Sequence, residues 1–280
     1  MLTNIFVNQN GQVIKEGNAV VSINNRSFRY GDGCFETMKV IKGKLRFSEY
    51  HFERLFSSLA LLQFDIPAYF TPDYLESQIL ALVKKNHHEK LARIRLNVYR
   101  GDGGLYDPQN LLPNYLIQTW ELNPVNNHLN ENGLIIDVFE DAQKSCDIFS
   151  SIKSNNYLGY AMAAIWAKKQ RLNDALVLNC YNRVADATIA NVFIVKDGIV
   201  KTPPLSEGCI NGIMRRHLIE QLPQSGFEVI ETALTIDDLL TADELFLTNS
   251  IYGIKWVKEF RDKEYGNLIA TRIFKQVVSG

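Results

Sequence analysis

The sequence is poor in cysteine, has no long apolar run and carries no excess of either charge. Its four cysteines among 280 residues are Cys34, Cys146, Cys180 and Cys209. They form no CxxC pair, which argues against zinc or redox chemistry and indicates reduced thiols in a cytoplasmic protein. Basic and acidic side chains number 30 and 31, so the composition favours neither nucleic acid nor an anionic membrane as a partner.

Several targeting and catalytic patterns are also missing. No apolar run reaches the roughly 18 residues of a transmembrane helix. The amino terminus lacks the basic and apolar regions of a signal peptide, so we expect none. The five histidines show no HExxH or similar spacing, and we expect no metal. There is no GxSxG, Walker or Rossmann pattern, and the composition is that of an ordinary globular protein, which favours a small-molecule enzyme.

The order of strand and helix signals predicts an α+β fold with two domains, and not a doubly wound parallel sheet. Residues 1–120 are predicted to form a small N-terminal domain, and residues 134–280 a larger, strand-rich C-terminal domain. The polar segment between them, residues 121–133, has no apolar periodicity and is predicted to be a linker.

Local patterns predict turns and helix boundaries. Glycine-containing pairs between apolar runs predict tight turns at Asn10-Gly11, Lys42-Gly43 and Asp197-Gly198. Ser48 and Thr71 are predicted to be the N-caps of two amphipathic helices. A further helix within residues 156–170 has four apolar residues on one side: Leu158, Met162, Ile165 and Trp166.

Three polar positions have both a functional and a structural interpretation. Lys153 lies in an uncharged stretch before a helix. A lysine among small and apolar residues loses its proton more readily than a solvated one, which suits Schiff-base chemistry, but lysines at helix entries are common. Asp186 is either a turn residue or a buried, charge-paired carboxylate. Asn191 is placed either to orient a neighbour or to close a turn.

Other positions suit the binding of anions. Gly212 precedes a helix whose first N–H groups can hold an anion, although glycine is also an ordinary connector there. Arg54 can hold a phosphate or be solvated. Arg93 and Arg95 share one face of a strand, with Arg100 on the other unless a bulge intervenes. These arginines suit either a carboxylate-binding wall or a solvated edge strand.

Several blocks, taken in order, resemble the class IV (fold-type IV) pyridoxal-phosphate (PLP) enzymes. This family includes branched-chain aminotransferases, D-amino-acid aminotransferases and aminodeoxychorismate lyases. Its amino-terminal signature is similar to YGDGCFETMKVIKGKLRFSEYHFERL, and its lysine segment is similar to IKSNNYLGYAMA. Its central signature is similar to DATIANVFIVKDGIVKTPPLSEGCINGIMRR. The resemblance covers nearly the whole chain and implies a two-domain fold like that of D-amino-acid aminotransferase.

The resemblance implies a PLP cofactor and gives roles to the matching positions. Lys153, in the predicted C-terminal domain, matches the lysine that forms a Schiff base with the cofactor and then shuttles the substrate α-proton. The positions matched to the cofactor's phosphate or ring face are Arg54, Ile210, Gly212, Ile213, Met214 and Ser250. Many relatives have threonine where this chain has Met214, so only its backbone amide can serve.

Asp186 is a departure from the family pattern. Family members usually carry glutamate here, bonded to the pyridine nitrogen of the cofactor. A carboxylate keeps that nitrogen protonated, so that the ring can withdraw electrons from the substrate. Aspartate is shorter by about one methylene, and either the backbone or cofactor shifts or a water bridges the gap.

The substrate side distinguishes the possible reactions. The KSNNYLG segment favours an aminotransferase, which moves an amino group between an amino acid of branched-chain or D type and a 2-oxo acid. The alternative is aminodeoxychorismate lyase, which the RGDGGLY and CINGIMR segments resemble, although Leu105 replaces an arginine of that loop. A second alternative is an inactive protein that keeps the family's fold, and Asp186 is the feature that would support it.

The resemblance also implies substrate-binding residues and a partner. The candidates on the substrate side are Tyr30, Glu36, Arg95 and Arg100. Family members generally form homodimers with active sites near the subunit interface, so Tyr30 or residues near Leu105 can belong to the neighbour's site. We therefore expect a cytoplasmic homodimer that acts on small molecules.

Overall fold

A computed structural model describes residues 5–106 and 110–278. These residues form two compact units. The first unit consists of Met1–Pro124 together with Lys153–Asn156, and the second consists of Val125–Ile152 and Tyr157–Gly280. The boundary after Pro124 falls inside the segment predicted as a linker. Lys153, however, groups with the first unit, whereas the sequence assigned it to the C-terminal domain, because backbone hydrogen bonds join its segment to a strand of the first unit.

The first unit contains a six-stranded antiparallel sheet in the order β2-β1-β6-β5-β3-β4. Its strands are β1 (Phe6–Gln9), β2 (Gln12–Lys15), β3 (Gly33–Ile41), β4 (Lys44–Leu45), β5 (Leu91–Tyr99) and β6 (Asn114–Glu121). Its helices are α1 (Arg26–Tyr30), α2 (Ser48–Leu61) and α3 (Pro72–Lys85). Alternate residues of β5, such as Ile94 and Leu96, are fully buried, as are Leu59 of α2 and Ile79 of α3. The amphipathic helices therefore bury their apolar sides in one core with this sheet.

The second unit contains a nine-stranded mixed sheet in the order β12-β11-β10-β13-β14-β7-β8-β9, with β15 paired to β14. Its strands are β7 (Leu134–Lys144), β8 (Asp174–Asn179), β9 (Val184–Ala187), β10 (Asn191–Lys196), β11 (Ile199–Thr202), β12 (Val229–Glu231), β13 (Glu244–Asn249), β14 (Gly253–Phe260) and β15 (Lys263–Glu264). Its helices are α4 (Leu158–Lys169), α5 (Ile213–Gln221), α6 (Ile236–Thr241) and α7 (Leu268–Ile273), followed by a π-helical turn at Phe274–Val278. Helices and strands in two sheets confirm the predicted α+β class.

The three predicted turns are confirmed. Asn10 and Gly11 join β1 to β2 with φ of 52° and 86°, and Lys42 and Gly43 join β3 to β4 with φ of 50° and 72°. The Asp197-Gly198 pair, which joins β10 to β11, also has positive φ at both residues. A two-residue hairpin of type I′ needs positive φ at both positions to match the twist of the strands, which explains why these pairs could be predicted from the sequence.

One of the two predicted caps is correct and one is wrong. Thr71 is the N-cap of α3, and its side chain accepts a hydrogen bond from the Tyr74 N–H at 3.2 Å. Ser48 is instead the first helical residue of α2, and the preceding Phe47 occupies the cap position in a left-handed conformation with φ of 54°. Only two residues connect β4 to α2, so the chain reverses at Phe47 and Ser48 is already helical.

Helix α4 packs with a side that carries alanines, and most of its predicted apolar group faces away from the core. Tyr160, Ala163 and Ala167 are buried, whereas Leu158 and Ile165 are 68% and 50% exposed. Of the predicted apolar group, Leu158, Met162 and Ile165 are exposed, whereas Trp166 packs against the core cluster, with its ring centre 5.8 Å from that of Phe139. Alanine on the inner side lets the helix lie close to β7 and β8, where its buried residues pack with Phe139, Ala175 and Val177.

No helix among residues 5–106 and 110–278 is long and apolar enough to cross a membrane.

We expect Thr71→Ala to destabilise the protein by about 1 kcal/mol, because α3 loses the side-chain acceptor of its first turn. Thr71→Ser keeps the hydroxyl and should cost only a few tenths of that amount. Urea unfolding of the two variants and the wild type measures the difference. Equal losses for Thr71→Ala and Thr71→Ser would contradict a capping role.

Candidate active site

Lys153 lies in a four-residue segment that is hydrogen-bonded to strand β3. The Phe35 N–H donates to the Lys153 carbonyl at 2.9 Å, and the Asn155 N–H donates to the Gly33 carbonyl at 2.9 Å. The Lys153 Nζ lies 4.6 Å from the centre of the Phe35 ring. These contacts fix the backbone of Lys153 and one side of its side chain, which is the placement that a nucleophilic amine needs.

Glu36, on β3, is buried against His51 and Arg54 of helix α2. Arg54 donates to both carboxylate oxygens, from Nε at 2.8 Å and from Nη2 at 2.6 Å, and His51 Nδ1 lies 2.6 Å from Oε2. Burial alone raises the pKa of Glu36, but the charges and hydrogen bonds of Arg54 and His51 outweigh it and lower that pKa to about 2. Glu36 thus orients Arg54. Its predicted contact with substrate stays a prediction.

Sequence reasoning did not assign a role to His51. It lies one turn before Arg54 on α2 and is fully buried. Burial lowers the pKa of His51 despite the neighbouring Glu36 carboxylate, and the positive charges of Arg54 and Lys153 act in the same direction as burial. The i, i+3 spacing of His51 and Arg54 is the only sequence signal for their shared contact.

Replacing Glu36 by glutamine should change how stability depends on pH. The folded carboxylate keeps its charge down to about pH 2, whereas an unfolded glutamate takes up a proton at about pH 4. The unfolded state therefore binds more protons between these values, and the stability that this ion pair confers at neutral pH is lost as the pH falls. We expect Glu36→Gln to be less stable at about pH 7 but to lose less stability between about pH 5 and pH 2.

Urea unfolding across that pH range measures this effect. The matched control is Glu228→Gln, which replaces an exposed glutamate of the second unit. It should keep the wild-type pH dependence. If Glu36→Gln and the wild type lose stability in parallel as the pH falls, the ion pair does not have the assigned role.

One face of the first sheet carries several cations. The register pairs Lys39 with Arg93, and Arg95 follows two residues later on the same face, as predicted. The Arg95 guanidinium carbon lies 3.7 Å from the Phe35 ring centre. Burial and the charge of Arg46 lower the pKa of Lys39 to about 8. Arg95 stays a predicted ligand of the substrate carboxylate, and Lys39 joins it on this face without any signal in the sequence.

Arg100, the other predicted carboxylate ligand, is bonded to the protein itself. Its Nη1 lies 3.0 Å from Oδ1 of Asp32, and its Nη2 donates to the carbonyls of Leu62 and Gln63 at the end of α2. Asp32 also accepts a hydrogen bond from Arg26 Nε at 2.7 Å. Arg100 is only 8% exposed. A substrate carboxylate would have to displace these bonds, so the contacts favour a supporting role for Arg100.

Tyr30 and the RGDGGLY loop lie on the surface of the first unit. Tyr30 ends α1 and is 37% exposed, with the Arg29 guanidinium 5.1 Å from its ring centre. Arg26 donates to the carbonyl of Gly104, which ties the loop to α1. Leu105 is 53% exposed. The predicted contribution of Tyr30 or Leu105 to a neighbour's site stays a prediction.

Asp186 is a buried carboxylate and not a turn residue. It lies within β9, is 2% exposed, and forms an ion pair with Lys144, whose Nζ lies 2.9 Å from Oδ2. The Tyr160 hydroxyl donates to the same oxygen at 2.7 Å, and the Ile210 N–H donates to it at 3.0 Å. The other oxygen, Oδ1, accepts from Asn191 Nδ2 at 3.0 Å. Of the two interpretations of Asp186, the buried and charge-paired one is therefore confirmed.

Asn191 connects Asp186 to the segment before α5. Its Nδ2 donates to Asp186 Oδ1 and also to the Ile210 carbonyl, at 2.8 Å. Gly212 packs against the same side chain so closely that an added Cβ would lie 1.8 Å from Asn191 Oδ1. Gly212 is therefore more than a connector, because only glycine leaves room for Asn191 beside the helix start.

We expect Gly212→Ala to destabilise the protein by about 1–3 kcal/mol, because the new methyl group must displace Asn191 or the backbone. Gly159→Ala is the matched control, since nothing lies within 4 Å of a Cβ added at Gly159. The control should lose no stability. Urea unfolding measures both changes, and an unaffected Gly212→Ala protein would show that the close approach to Asn191 has no energetic consequence.

The start of α5 and the turn after β13 contain the positions matched to the cofactor phosphate. Gly212 is the N-cap of α5, and no side chain caps the helix. Ile213 and Met214 are the first two helical residues, and both side chains are buried. Ser250 is half-buried in the turn that joins β13 to β14. Uncapped N–H groups at a helix start attract anions, and the phosphate role of these positions stays a prediction.

Metal ligands do not cluster in the part of the chain that the structure describes. No group of three or more histidine, cysteine, aspartate or glutamate side chains there is placed to hold a metal ion.

The fold defines the class to which the chain belongs. A solved structure of a branched-chain aminotransferase from Thermoproteus uzoniensis, determined with norvaline, has a TM-score of 0.88 and 25% sequence identity. The alignment covers 98% of this chain and 93% of that chain. The architecture is that of the fold-type IV enzymes.

The chain belongs to the class IV amino-transferase family, whose sequence profile matches residues 33–260. A Methanocaldococcus jannaschii protein assigned as a branched-chain-amino-acid aminotransferase is 32% identical over 271 residues, covering 96% of this chain and 92% of the relative. An aminodeoxychorismate lyase from Vibrio harveyi is 34% identical over 236 residues, covering 84% of this chain and 85% of the relative. The predicted family is confirmed, and it contains both transferases and lyases.

Proposed function

We propose that this chain is a PLP-dependent aminotransferase that moves an amino group between an amino acid and a 2-oxo acid. The observation that carries the proposal is Lys153, which lies in the family's lysine segment and is held by backbone hydrogen bonds to β3. Family membership over residues 33–260 supports the cofactor and the class of reaction.

The donors and acceptors present fit PLP. The Asp186 carboxylate suits a protonated pyridine nitrogen, and its Oδ1 accepts only one hydrogen bond among the described residues, so this oxygen has room for another donor. The uncapped start of α5 suits a phosphate, as does Arg54, whose guanidinium Glu36 orients. We assign Ile213, Met214 and Ser250 to the phosphate as well, and Ile210 to one face of the ring.

When bound, PLP supplies an aldehyde that captures amines and a ring that withdraws electrons from the substrate. The chain's own groups then divide the work. Lys153 Nζ would hold the cofactor and would accept the proton that leaves the substrate α-carbon. Asp186 holds a proton on the pyridine nitrogen, and Arg95 pairs with the substrate carboxylate.

Two observations support the proposed class of substrate, namely the names of similar proteins and the residues on one face of the first sheet. Branched-chain aminotransferases occur among both the similar sequences and the similar structures. Phe35 offers an apolar ring beside Arg95 on β5, a combination that suits an amino acid with an apolar side chain and one carboxylate. We therefore propose a branched-chain or D-amino acid donor.

The second candidate function is that of aminodeoxychorismate lyase. The sequence identity of 34% to the Vibrio harveyi lyase favours it, as do the RGDGGLY and CINGIMR segments. Leu105, exposed in that loop, stands where the lyase pattern has arginine, which weakens recognition of a second anionic group.

We also propose a homodimer in the cytoplasm, with no nucleic acid or membrane partner. The exposed apolar side of α4, which includes Leu158, Met162 and Ile165, supports burial against a second copy. The four free cysteines support a reducing compartment. The net charge of −1 supports small-molecule substrates over polyanions.

Lys153→Ala should take up PLP without a covalent bond, because no other residue is assigned to form one. Borohydride reduction followed by peptide mass spectrometry should attach the cofactor to Lys153 in the wild type and to no residue in the variant. The wild-type visible band should respond to some amino acid in a panel of L- and D-amino acids, and Lys153→Ala should show no turnover.

The same assay decides between the reactions. Conversion of bound PLP to pyridoxamine phosphate by an amino acid supports the aminotransferase. A wild type that no amino acid converts, but that releases pyruvate from aminodeoxychorismate, is the lyase. A wild type that forms no covalent bond to PLP at Lys153 would overturn both proposals and leave the alternative of an inactive protein.

A further inference from the structure

Lys144 reaches Asp186 because strand β7 is bulged. Phe139 and Asp186 both pair with Val177 of β8, so the three side chains share the face that packs on α4. Beyond Phe139 the register shifts, and four residues along β7 correspond to one residue along β8. Lys144 therefore pairs with Asn179, two residues after Val177, and lies on the same face. Strict alternation from Phe139 would place Lys144 on the opposite face.

Lys144 is the charged partner of the Asp186 carboxylate. Its Nζ lies 2.9 Å from Oδ2 and 3.4 Å from the Ser150 carbonyl, and the Lys144 side chain is 14% exposed. Tyr160 of α4 and Cys209 before α5 also face Asp186. Burial, with the Asp186 charge, raises the pKa of Tyr160 well above its usual value and that of Cys209 to about 12. Of these three groups, Lys144 is the one that forms an ion pair with Asp186.

The two oxygens of Asp186 differ in their surroundings. Oδ2 accepts from Lys144, Tyr160 and the Ile210 N–H, whereas Oδ1 accepts from Asn191. Oδ1 is therefore the oxygen with capacity for a further donor. A cation at Oδ2 and a second cation at Oδ1 would share one negative charge. Each then reduces the stabilisation that the carboxylate can give to the other.

We propose that Lys144 is a positioning residue that fixes Asp186 and weakens its hold on the proton of the cofactor's pyridine nitrogen. The inference rests on the proposed PLP function. With Lys144 present, the pyridine nitrogen loses its proton at a lower pH than it would beside an unpaired aspartate. Without Lys144, a pyridinium at Oδ1 becomes the only cation that neutralises Asp186, and its proton is held more firmly.

The proposal is tested first by the coupling between Lys144 and Asp186 in protein without cofactor. The variants are Lys144→Met, Lys144→Arg, Asp186→Asn and Lys144→Met/Asp186→Asn, with Lys196→Met as the control. Lys196 lies on the same sheet, in a more exposed ion pair with Asp243 at 3.6 Å. Urea unfolding should show that Lys144→Met raises the unfolding equilibrium constant on the order of a hundredfold, because Asp186 is left buried and unpaired.

In the Asp186→Asn background, Lys144→Met should raise the unfolding equilibrium constant by a factor at least about ten times smaller than in the wild type. The reason is that no carboxylate charge at position 186 remains to be compensated. Lys144→Arg should stay closer to the wild type than Lys144→Met, and Lys196→Met should change little. Equal effects of Lys144→Met in both backgrounds would overturn the assigned ion pair.

The second measurement reads the pyridine nitrogen directly. The ¹⁵N NMR shift of PLP labelled at that nitrogen, followed against pH in the loaded protein, gives the pH at which it deprotonates. We expect Lys144→Met to raise this pH by about one unit or more, and Lys144→Arg to restore the wild-type value. Unchanged deprotonation in Lys144→Met, together with lost stability, would mean that Lys144 only supports the fold, and the proposal would fail.

Failure of the proposed function is distinguished by the wild type alone. If borohydride fixes no PLP on wild-type Lys153, the proposed function fails and the role toward the cofactor fails with it. If the wild type binds PLP through Lys153 but Lys144→Met behaves as the wild type does, the function stands and this inference is wrong.

Discussion

The ion pair between Asp186 and Lys144 is the contact at which several elements of the second unit meet. A carboxylate that is 2% exposed is costly to bury unless a cation and hydrogen-bond donors compensate it. Here the compensation comes from strand β7, helix α4, strand β10 and the segment before α5. Because the four elements meet at one side chain, the position of the helix that is matched to the cofactor phosphate is linked to the position of the carboxylate.

The first unit also buries a carboxylate, and different residues compensate its charge. Glu36 is buried between His51 and Arg54, so its charge links strand β3 to helix α2. Arg100 and Arg26 converge on Asp32 in a similar way. Of the charged residues predicted to meet the substrate, Glu36 and Arg100 are thus committed to other protein groups. Arg95, stacked on Phe35, stays the predicted ligand of the substrate carboxylate.

Features set by neighbouring residues were predictable from the sequence, and features set by register were not. The turns at Asn10-Gly11 and Lys42-Gly43 and the Thr71 cap depend on local backbone preferences, and the structure has them as predicted. The family blocks likewise located Lys153 and Asp186. Lys144 was missed because its face depends on a bulge that shifts β7 against β8, which no local pattern records.

The wrong cap at Ser48 and the packing of α4 have the same origin. Ser48 has the right residue type for a cap, but the short connection from β4 makes Phe47 the turning point. In α4 the large apolar residues lie on one side, yet the alanines on the other side decide which face can approach the sheet closely. In both cases tertiary packing overrides a local preference that the sequence shows correctly.

The segment Lys153–Asn156 makes the first unit discontinuous in the chain. Its backbone is hydrogen-bonded to the amide of Phe35 and the carbonyl of Gly33, at the start of strand β3. During synthesis from the amino terminus, β3 therefore emerges from the ribosome long before its last hydrogen-bonding partner. A fragment that ends at Pro124 contains every strand of the first sheet but leaves these two groups unpaired. Completion of the first unit must wait until the lysine segment has been translated, so the unit reaches its final state only when the proposed catalytic residue is in place.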